Sequence, residues 1–361
     1  MKYILQINTG NIETTNYTSK QIIDRLEHVL NYIEISKIII GWSTDKKIYE
    51  EVVTYLHNKK IEVYFWLPVF SEITDLNIED KYVEANIFTQ NNSNFSSGDK
   101  FEFVCQASNT NINYIVEKFK EITKGINFDG VFLDRIRYNS PAVNPNAILG
   151  CLCPDCLNRY KENGIDIVKL QNENVFDYAI PVKIHEGVYE YIDSDFNSLM
   201  KIKRDTITKQ INAIIEKFNE MDLKVGLDTF GLAVADFVGQ DIISLSKKAD
   251  FIKPMFYLRT TAPAGIPYEL NGLTGKMKES LKKLWGFNID DVDSSVEQCK
   301  YLLDRNVYIT PGIDVNNIEG ICSSDKEYVL NYLDNLSKLN LKEVVLSWNA
   351  MTITDELLEK L

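Results

Sequence analysis

The sequence contains little histidine, with three residues in 361, and the three lie far apart at His28, His57 and His185. His28 and His57 fall in segments with the spacing of exposed helices. A catalytic metal held by several histidines is therefore not expected. The sequence also contains no phosphate-binding loop or complete dinucleotide motif. It therefore predicts that any reaction proceeds without a metal or organic cofactor.

Basic residues are outnumbered, with 39 Lys and Arg against 52 Asp and Glu and a net charge of −13. Partners held mainly through phosphate contacts need clustered Lys and Arg, so neither nucleic acid nor an anionic membrane surface is an expected partner. No run approaches the roughly 20 apolar residues that span a bilayer. The first residues favour a strand over a signal peptide, which predicts a cytoplasmic protein, although a signal already removed would leave the same sequence.

Short apolar runs recur along the chain, and most are followed by a segment with helical spacing. The eight predicted strands are 3–8, 37–42, 62–68, 130–134, 224–228, 251–257, 307–314 and 343–348. Eight parallel strands alternating with helices close into a (β/α)₈ TIM barrel. The sequence therefore predicts an α/β protein with one barrel domain over residues 1–361, and it gives no indication of oligomeric state.

Two connections in this barrel are enlarged. About 90 residues separate the ends of the fourth and fifth strands, far more than one helix requires. We expect an insertion at 139–195 that carries Cys151, Cys153 and Cys156. The connection after the sixth strand is rich in Gly, Pro and Thr, which is typical of an exposed loop.

Polar and aromatic residues concentrate where the predicted strands end, on the face that carries the active site in TIM barrels. Three of the four tryptophans lie there, and three strands finish in aspartate. Indole rings stack on sugars while carboxylates and amides bind hydroxyl groups, so we expect a carbohydrate-binding face. A residue of this kind can also simply cap a helix or fill the core. The expected substrate-binding residues are Asn8, Trp42, Trp66, Arg135, Arg137, Tyr138, Tyr257, Asp314, Trp348 and Asn349.

The fourth predicted strand lies in FDGVFLDRIRYNSP, residues 128–141, which resembles the fourth-strand motif of a superfamily of glycoside hydrolase-like (β/α)₈ barrels. That motif runs Asp-Gly, three apolar residues, Asp, any residue, an apolar residue, Arg, Tyr or Phe, and Pro. The flanking segments FEFVCQASNTNINYIVEKFKEI and VGQDIISLSKKADFIKPMFY are also similar to the superfamily. The resemblance extends over residues 100–260 and implies carbohydrate hydrolysis.

By this resemblance Asp134 is the catalytic carboxylate, and it is the nucleophile if configuration is retained. Arg137 and Tyr138 would orient it or bind substrate. Asp129, at the start of the strand, is expected to anchor a turn. Two departures from the pattern affect the substrate contacts: Arg135 adds a second cation, and the proline of the motif is displaced to Pro141.

Glycoside hydrolysis needs a second carboxyl group. Asp228 closes the neighbouring fifth strand and is the preferred partner of Asp134. Asp314, which closes the seventh strand, is the alternative acid or a ligand of sugar hydroxyls. A separation of about 5 Å would indicate a retaining enzyme, and a wider gap an inverting one.

Two further functions are compatible with these residues. Lys253 lies in the sixth strand, where a buried amine could form a Schiff base as in a lyase or aldolase. The competing interpretation is a lysine that pairs with a carboxylate such as Asp228. A non-catalytic carbohydrate-binding barrel would keep the tryptophans without needing Asp134.

Cys151, Cys153 and Cys156 form a C-x-C-x₂-C cluster. In a reducing compartment such spacing indicates metal binding or reduced thiols more often than disulfides. A structural zinc site requires a fourth ligand, for which Cys105, His185 and Asp155 are candidates.

Overall fold

The computed structural model describes residues 1–10, 16–71, 103–142 and 144–361. Eight parallel strands form a closed barrel in the order β1-β2-β3-β4-β7-β8-β9-β12. The predicted (β/α)₈ fold is confirmed. The barrel strands are β1 (Lys2–Asn8), β2 (Ile35–Gly41), β3 (Glu62–Pro68), β4 (Gly130–Asp134), β7 (Lys224–Phe230), β8 (Phe251–Phe256), β9 (Gly312–Asp314) and β12 (Glu343–Ser347).

Each predicted apolar run overlaps one of these strands, but the seventh strand is much shorter than 307–314. Ladder pairing in β9 begins only at Gly312, after Pro311, which has no backbone N–H to donate to a neighbouring strand. An isolated bridge between Ile252 and Ile309 joins the segment before β9 to β8.

Helices surround the barrel and bury their apolar faces against the strands. Local capping fixes where they begin: Thr18 and Gln21 form a capping box at α1, and the Asp193 carboxylate accepts two backbone N–H groups at α7. No helix among the described residues is long and apolar enough to cross a membrane. The helices outside the fourth connection are α1 (Ser19–Val29), α2 (Lys46–Asn58), α3 (Asn109–Thr123), α7 (Ser194–Asn219), α8 (Leu232–Ala235), α9 (Ile242–Ser246), α10 (Ile266–Glu269), α11 (Gly275–Trp285), α12 (Val292–Leu303), α13 (Lys326–Ser337) and α14 (Asp355–Leu358).

The connection between β4 and α7 has its own secondary structure. It contains a 3₁₀ turn at Pro145–Leu149, helices α4 (Pro154–Glu162), α5 (Ile167–Asn172) and α6 (Val175–Tyr178), and an antiparallel hairpin of β5 (Pro181–His185) and β6 (Val188–Tyr191). The connection from β3 to α3, residues 69–108, is also long, and strand spacing did not single it out. A second small hairpin, β10 (Asn317–Ile318) with β11 (Cys322–Ser323), follows β9.

Aromatic and aliphatic side chains fill the lower part of the barrel interior. They are Ile4, Ile39, Tyr64, Trp66, Phe132, Phe251 and Val345. Side chains alternate along a strand, so the next inward residues toward the C-terminal ends of β7 and β8 are Asp228 and Lys253. The interior therefore changes from apolar to polar just below the face that carries the predicted site.

Candidate active site and cysteine cluster

A cavity of about 340 Å³ opens at the C-terminal ends of the strands. It brings together nine of the twelve predicted catalytic and substrate-binding residues: Asn8, Trp42, Trp66, Asp134, Arg135, Arg137, Asp228, Tyr257 and Trp348. Both members of the predicted carboxylate pair are among them. Most of the residues predicted from the strand ends therefore lie around one cavity, at the face expected for this fold.

Asp134 is the last residue of β4 and is held at both carboxylate oxygens. The indole Nε1 of Trp66 donates to Oδ2 at 2.9 Å, and the backbone N–H of Arg135 donates to Oδ1. The Asp134 carbonyl accepts the backbone N–H of Val69 at 2.9 Å. Two donors aimed at the side chain fix its orientation toward the cavity.

Arg135 turns back over the aromatic residues of the cavity. Its backbone adopts a left-handed φ of 53°. The guanidinium lies 4.8 Å from the Trp42 ring, a cation–π contact, and donates to the Ser71 hydroxyl at 3.1 Å. Trp42 in turn packs edge to face on Trp66 at 5.6 Å. Trp66 is only 6% exposed, so its geometry suits orienting Asp134 better than stacking on a sugar.

Asp228 forms a buried cluster with Lys253 and Tyr257 beneath the cavity. The Lys253 ammonium donates to both Asp228 oxygens, at 3.0 and 3.1 Å, and also to the Tyr257 hydroxyl. Burial raises the pKa of Asp228; the charge of Asp134 adds to this effect, and Lys253 opposes it. Burial lowers the pKa of Lys253. Asp228 is thus the carboxyl group of this site whose surroundings favour the protonated form.

Arg137 reaches the cavity but is 5% exposed. Its guanidinium lies between the rings of Phe103 and Phe230, 5.0 Å from each, and donates to the Tyr138 carbonyl at 3.0 Å. The Gln106 amide donates to the Arg137 carbonyl. Burial lowers the pKa of Arg137. These contacts make Arg137 a fixed part of the cavity wall.

Three predicted substrate-binding residues do not line the cavity. Tyr138 is 1% exposed and points into the fourth connection, where it packs beneath Lys203. Asn349 accepts the backbone N–H of Met351 and so caps the short 3₁₀ turn that follows β12. These side chains lie at strand ends as predicted, but the chain directs them into the protein.

Asp314 is the third of these residues and is fully buried. Its carboxylate accepts the backbone N–H of Arg259 and the hydroxyls of Thr260 and Tyr328, at 2.8, 2.9 and 2.8 Å. Burial raises its pKa, although these donors act in the opposite direction. The structure places Asp314 as an anchor for the loop after β8, and Asp228 is the carboxyl group that faces the cavity with Asp134.

Other cavity residues were not predicted. Phe230 and Met255 follow Asp228 and Lys253 by two positions, so alternation along β7 and β8 was the signal that could have found them. Ile321 comes from the small hairpin after β9, and its placement depends on a loop that the strand pattern does not specify. The remaining lining residues are Gly10, Thr260, Ala262, Pro263 and Ala264.

The predicted cysteine cluster gains its fourth member from another connection. Cys105, Cys151, Cys153 and Cys156 place their sulfur atoms within 4.8 Å of one another, and all four are free thiols. Cys105, from the β3–α3 connection, is the correct one of the three candidates, and His185 and Asp155 are not part of the group. Four thiols in one cluster could hold a structural metal such as zinc.

Asp129 lies at the opposite end of β4 from Asp134. Its carboxylate accepts the backbone N–H of Val63 at 2.7 Å and contacts the His57 ring at 2.9 Å. It anchors the turn into the strand, as expected, and lies far from the cavity end.

No protein-family model and no curated protein sequence matches this chain. Solved structures do share its fold. The glycoside hydrolase domain of PgaB (BpsB) from Bordetella bronchiseptica aligns over 97% of this chain and 95% of its own, with 13% identity and a TM-score of 0.63. A class V chitinase from Pseudomonas fluorescens Pf-5 aligns over 99% and 98%, with 8% identity and a TM-score of 0.52.

A third similar structure is α-L-fucosidase isoenzyme 2 from Paenibacillus thiaminolyticus, with 13% identity and a TM-score of 0.53. The alignment covers 99% of this chain and 48% of the fucosidase. At these identities the likeness concerns the fold, and activity must be argued from the site. By structure, the chain is a TIM barrel that shares its fold with these three proteins.

Proposed function

We propose that this protein is a glycoside hydrolase that cleaves a glycosidic bond of an oligo- or polysaccharide. The observation that carries the proposal is that Asp134 and Asp228 line one cavity together with Trp42 and Trp348. Two carboxyl groups and aromatic surfaces are what this reaction needs. The PgaB domain and the chitinase, which share the fold, are described as enzymes of this class.

The environments of the two carboxyl groups suit different roles. Asp134 accepts hydrogen bonds at both oxygens, which orients the carboxyl group that would attack the sugar or activate water. Burial and the neighbouring charge of Asp134 favour a proton on Asp228, which suits it to protonate the leaving oxygen. A carboxyl group whose pKa is raised, beside a second carboxyl group, is a usual arrangement for this chemistry.

The surrounding residues would orient the reacting groups and the substrate. Trp66 and Arg135 hold Asp134, and the Lys253 amine holds Asp228. Trp42 and Trp348 are less buried than Trp66 and offer the surfaces on which a sugar ring would stack. Asn8 at the end of β1 adds an amide within the cavity for sugar hydroxyls.

The test is hydrolysis of a broad panel of glycans and aryl glycosides by the wild type and by two variants, Asp134→Asn and Asp228→Asn. Each substitution keeps the shape of the side chain and removes the ionisable group. We expect wild-type turnover, and a loss of several orders of magnitude in each variant. Asp24→Asn, an exposed change on α1, is the matched control and should retain full activity.

Glycan binding without turnover, unchanged in Asp134→Asn, would replace the hydrolase with a carbohydrate-binding barrel. Covalent trapping by borohydride with a carbonyl substrate, lost in Lys253→Met, would favour the lyase instead. The structure argues against the lyase, because Lys253 pairs with both oxygens of Asp228, at 3.0 and 3.1 Å, and does not itself line the cavity.

The proposed reaction uses no cofactor. We also propose that the four-cysteine cluster holds zinc in a structural role, since four thiolates close the coordination shell and leave no position for substrate. None of the four cysteines lines the cavity. Metal analysis of protein purified without chelators should give one zinc per chain, and it should give none for Cys105→Ser.

A further inference from the structure

Lys203 is a fully buried lysine on the long helix α7. Its ammonium donates to the carbonyl of Ile148 at 2.7 Å and lies 4.3 Å from the centre of the Tyr138 ring. Both residues belong to the segment that leads from β4 to the cysteines. The charge of Lys203 is thus located inside the fourth connection, away from the cavity.

No carboxylate pairs with Lys203 among the residues that the structure describes. The charge of the buried Asp236 acts on Lys203, but this carboxylate is already bound by the Arg204 guanidinium at 2.8 Å and by the Tyr191 hydroxyl. A buried cation with only a carbonyl and a ring as partners is costly. Burial lowers the pKa of Lys203 to about 7, so its ammonium form depends on nearby negative charge.

The cysteine cluster is the other group whose charge acts on Lys203, through Cys151 and Cys156. The sulfur of Cys105 lies 3.7 Å from those of Cys153 and Cys156. A tetrahedral zinc site with Zn–S bonds of about 2.3 Å has sulfur atoms about 3.8 Å apart. The thiols therefore already have nearly the spacing that zinc requires.

A zinc ion bound by four thiolates has a net charge of −2, and this charge would be buried. The N-terminus of α4 partly offsets it, because Cys153 is the N-cap residue and Cys156 lies in the first turn. Of the basic side chains in this region without a carboxylate partner among the described residues, Arg159 is partly exposed and donates to Thr206, whereas Lys203 is fully buried.

We propose that Lys203 is the buried counter-cation of the metal–thiolate centre, and that its charge increases the affinity of the cysteines for zinc. The inference rests on the proposed zinc site and is independent of the hydrolase reaction. A nearby cation stabilises the negative metal–thiolate centre, and a nearby anion stabilises the buried lysine. In the metal-free protein the buried charge of Lys203 lowers the stability of the fold.

Lys203→Met tests this because methionine keeps the length and apolar stem and removes the charge. Zn²⁺ affinity would be measured on the full chain by competition with a chromophoric chelator under reducing conditions. Urea unfolding would be followed for the metal-free and zinc-loaded forms. We expect zinc affinity to fall at least tenfold, and the metal-free variant to be as stable as the wild type or more stable.

Lys201→Met, on the same helix but exposed and paired with Asp205, is the control and should change neither quantity. Lys203→Arg keeps the charge and should retain more affinity than Lys203→Met. If Lys203 were purely structural, Lys203→Met would instead destabilise the metal-free and zinc-loaded forms equally and leave zinc affinity unchanged. That result would overturn the proposal. A wild-type protein that fails to bind Zn²⁺ would also overturn the proposal. If Lys203→Met cannot fold, the proposal is overturned when Lys203→Arg binds zinc no better than Cys105→Ser.

Discussion

At the scale of single residues, Asp228 differs from Asp134 through the group beneath it. Asp134 lies at the end of its strand and binds an indole and a backbone N–H, whereas Asp228 is fully buried against Lys253. Burial favours the neutral acid, and the ammonium of Lys253 favours the carboxylate. The lysine therefore limits how far the pKa of Asp228 rises, and this has a measurable consequence.

Lys253→Met is predicted to move the alkaline limb of the pH–rate profile to higher pH. A general acid is active while protonated, so the rate falls as the pH rises through the pKa of Asp228. Removing Lys253 removes the influence that lowers this pKa, so the pKa rises and the limb follows. The measurement is kcat/KM against pH for a glycoside that the wild type hydrolyses.

Lys224→Met provides the control, because Lys224 begins the same strand as Asp228 but is exposed at the opposite end of the barrel and pairs with Glu62. Its profile should match that of the wild type. A limb that stays in place or moves to lower pH in Lys253→Met would show that Asp228 is not the group whose ionisation ends activity.

At the scale of elements, helix α7 holds the fourth connection to the barrel through a buried ion pair. Arg204 binds Asp236, whose side chain is fully buried and also accepts the Tyr191 hydroxyl of the β5–β6 hairpin. One turn away on the same helix, Lys201 and Asp205 form an exposed pair. The two pairs have similar geometry and very different surroundings.

Asp236→Asn is predicted to lower the free energy of unfolding by about 3–5 kcal/mol, because it leaves the Arg204 charge buried without its partner. Asp205→Asn should cost about 0–1 kcal/mol, since water screens the exposed pair. Urea unfolding of both variants gives the comparison. Equal losses would mean that the hairpin and α7 are held by apolar packing alone.

At the scale of the whole molecule, the barrel is closed by the fit of interior side chains. The ring of Phe251 packs edge to face on Tyr64 at 5.5 Å and stacks with Phe132 at 6.0 Å. Gly226 lies opposite this ring, and a methyl group there would overlap it. The ring has no room to retreat, since other aromatic residues enclose it.

Gly226→Ala should therefore destabilise the protein by about 1–3 kcal/mol through overpacking. Gly275→Ala makes the same chemical change at the first residue of α11, where a new methyl group would meet no atom within 4 Å, and should be neutral or slightly stabilising. Thermal unfolding of the two variants distinguishes them. A neutral Gly226→Ala would mean that the barrel interior can relax.

Several features could be predicted from the sequence because they depend on local pattern. Apolar runs and helical spacing identified all eight barrel strands, since burial on both faces requires continuous apolar residues. Asp134 was predicted from the resemblance of the fourth-strand motif, and Asp228 because it closes the predicted fifth strand next to it. The cysteine spacing likewise indicated a metal-type cluster, although it showed only three of its members.

Tertiary structure decided the rest, because those features depend on contacts between distant segments. Cys105 joins the cluster from a separate connection, and Lys203 on α7 donates to the carbonyl of Ile148, three residues before Cys151. Asp314 ends β9 and Asp228 lies two residues before the end of β7, yet only around Asp314 do donors from Arg259, Thr260 and Tyr328 close. Which of two strand-end carboxylates faces a cavity depends on where loops fold back, and the sequence by itself determines only that both lie at the same face of the barrel.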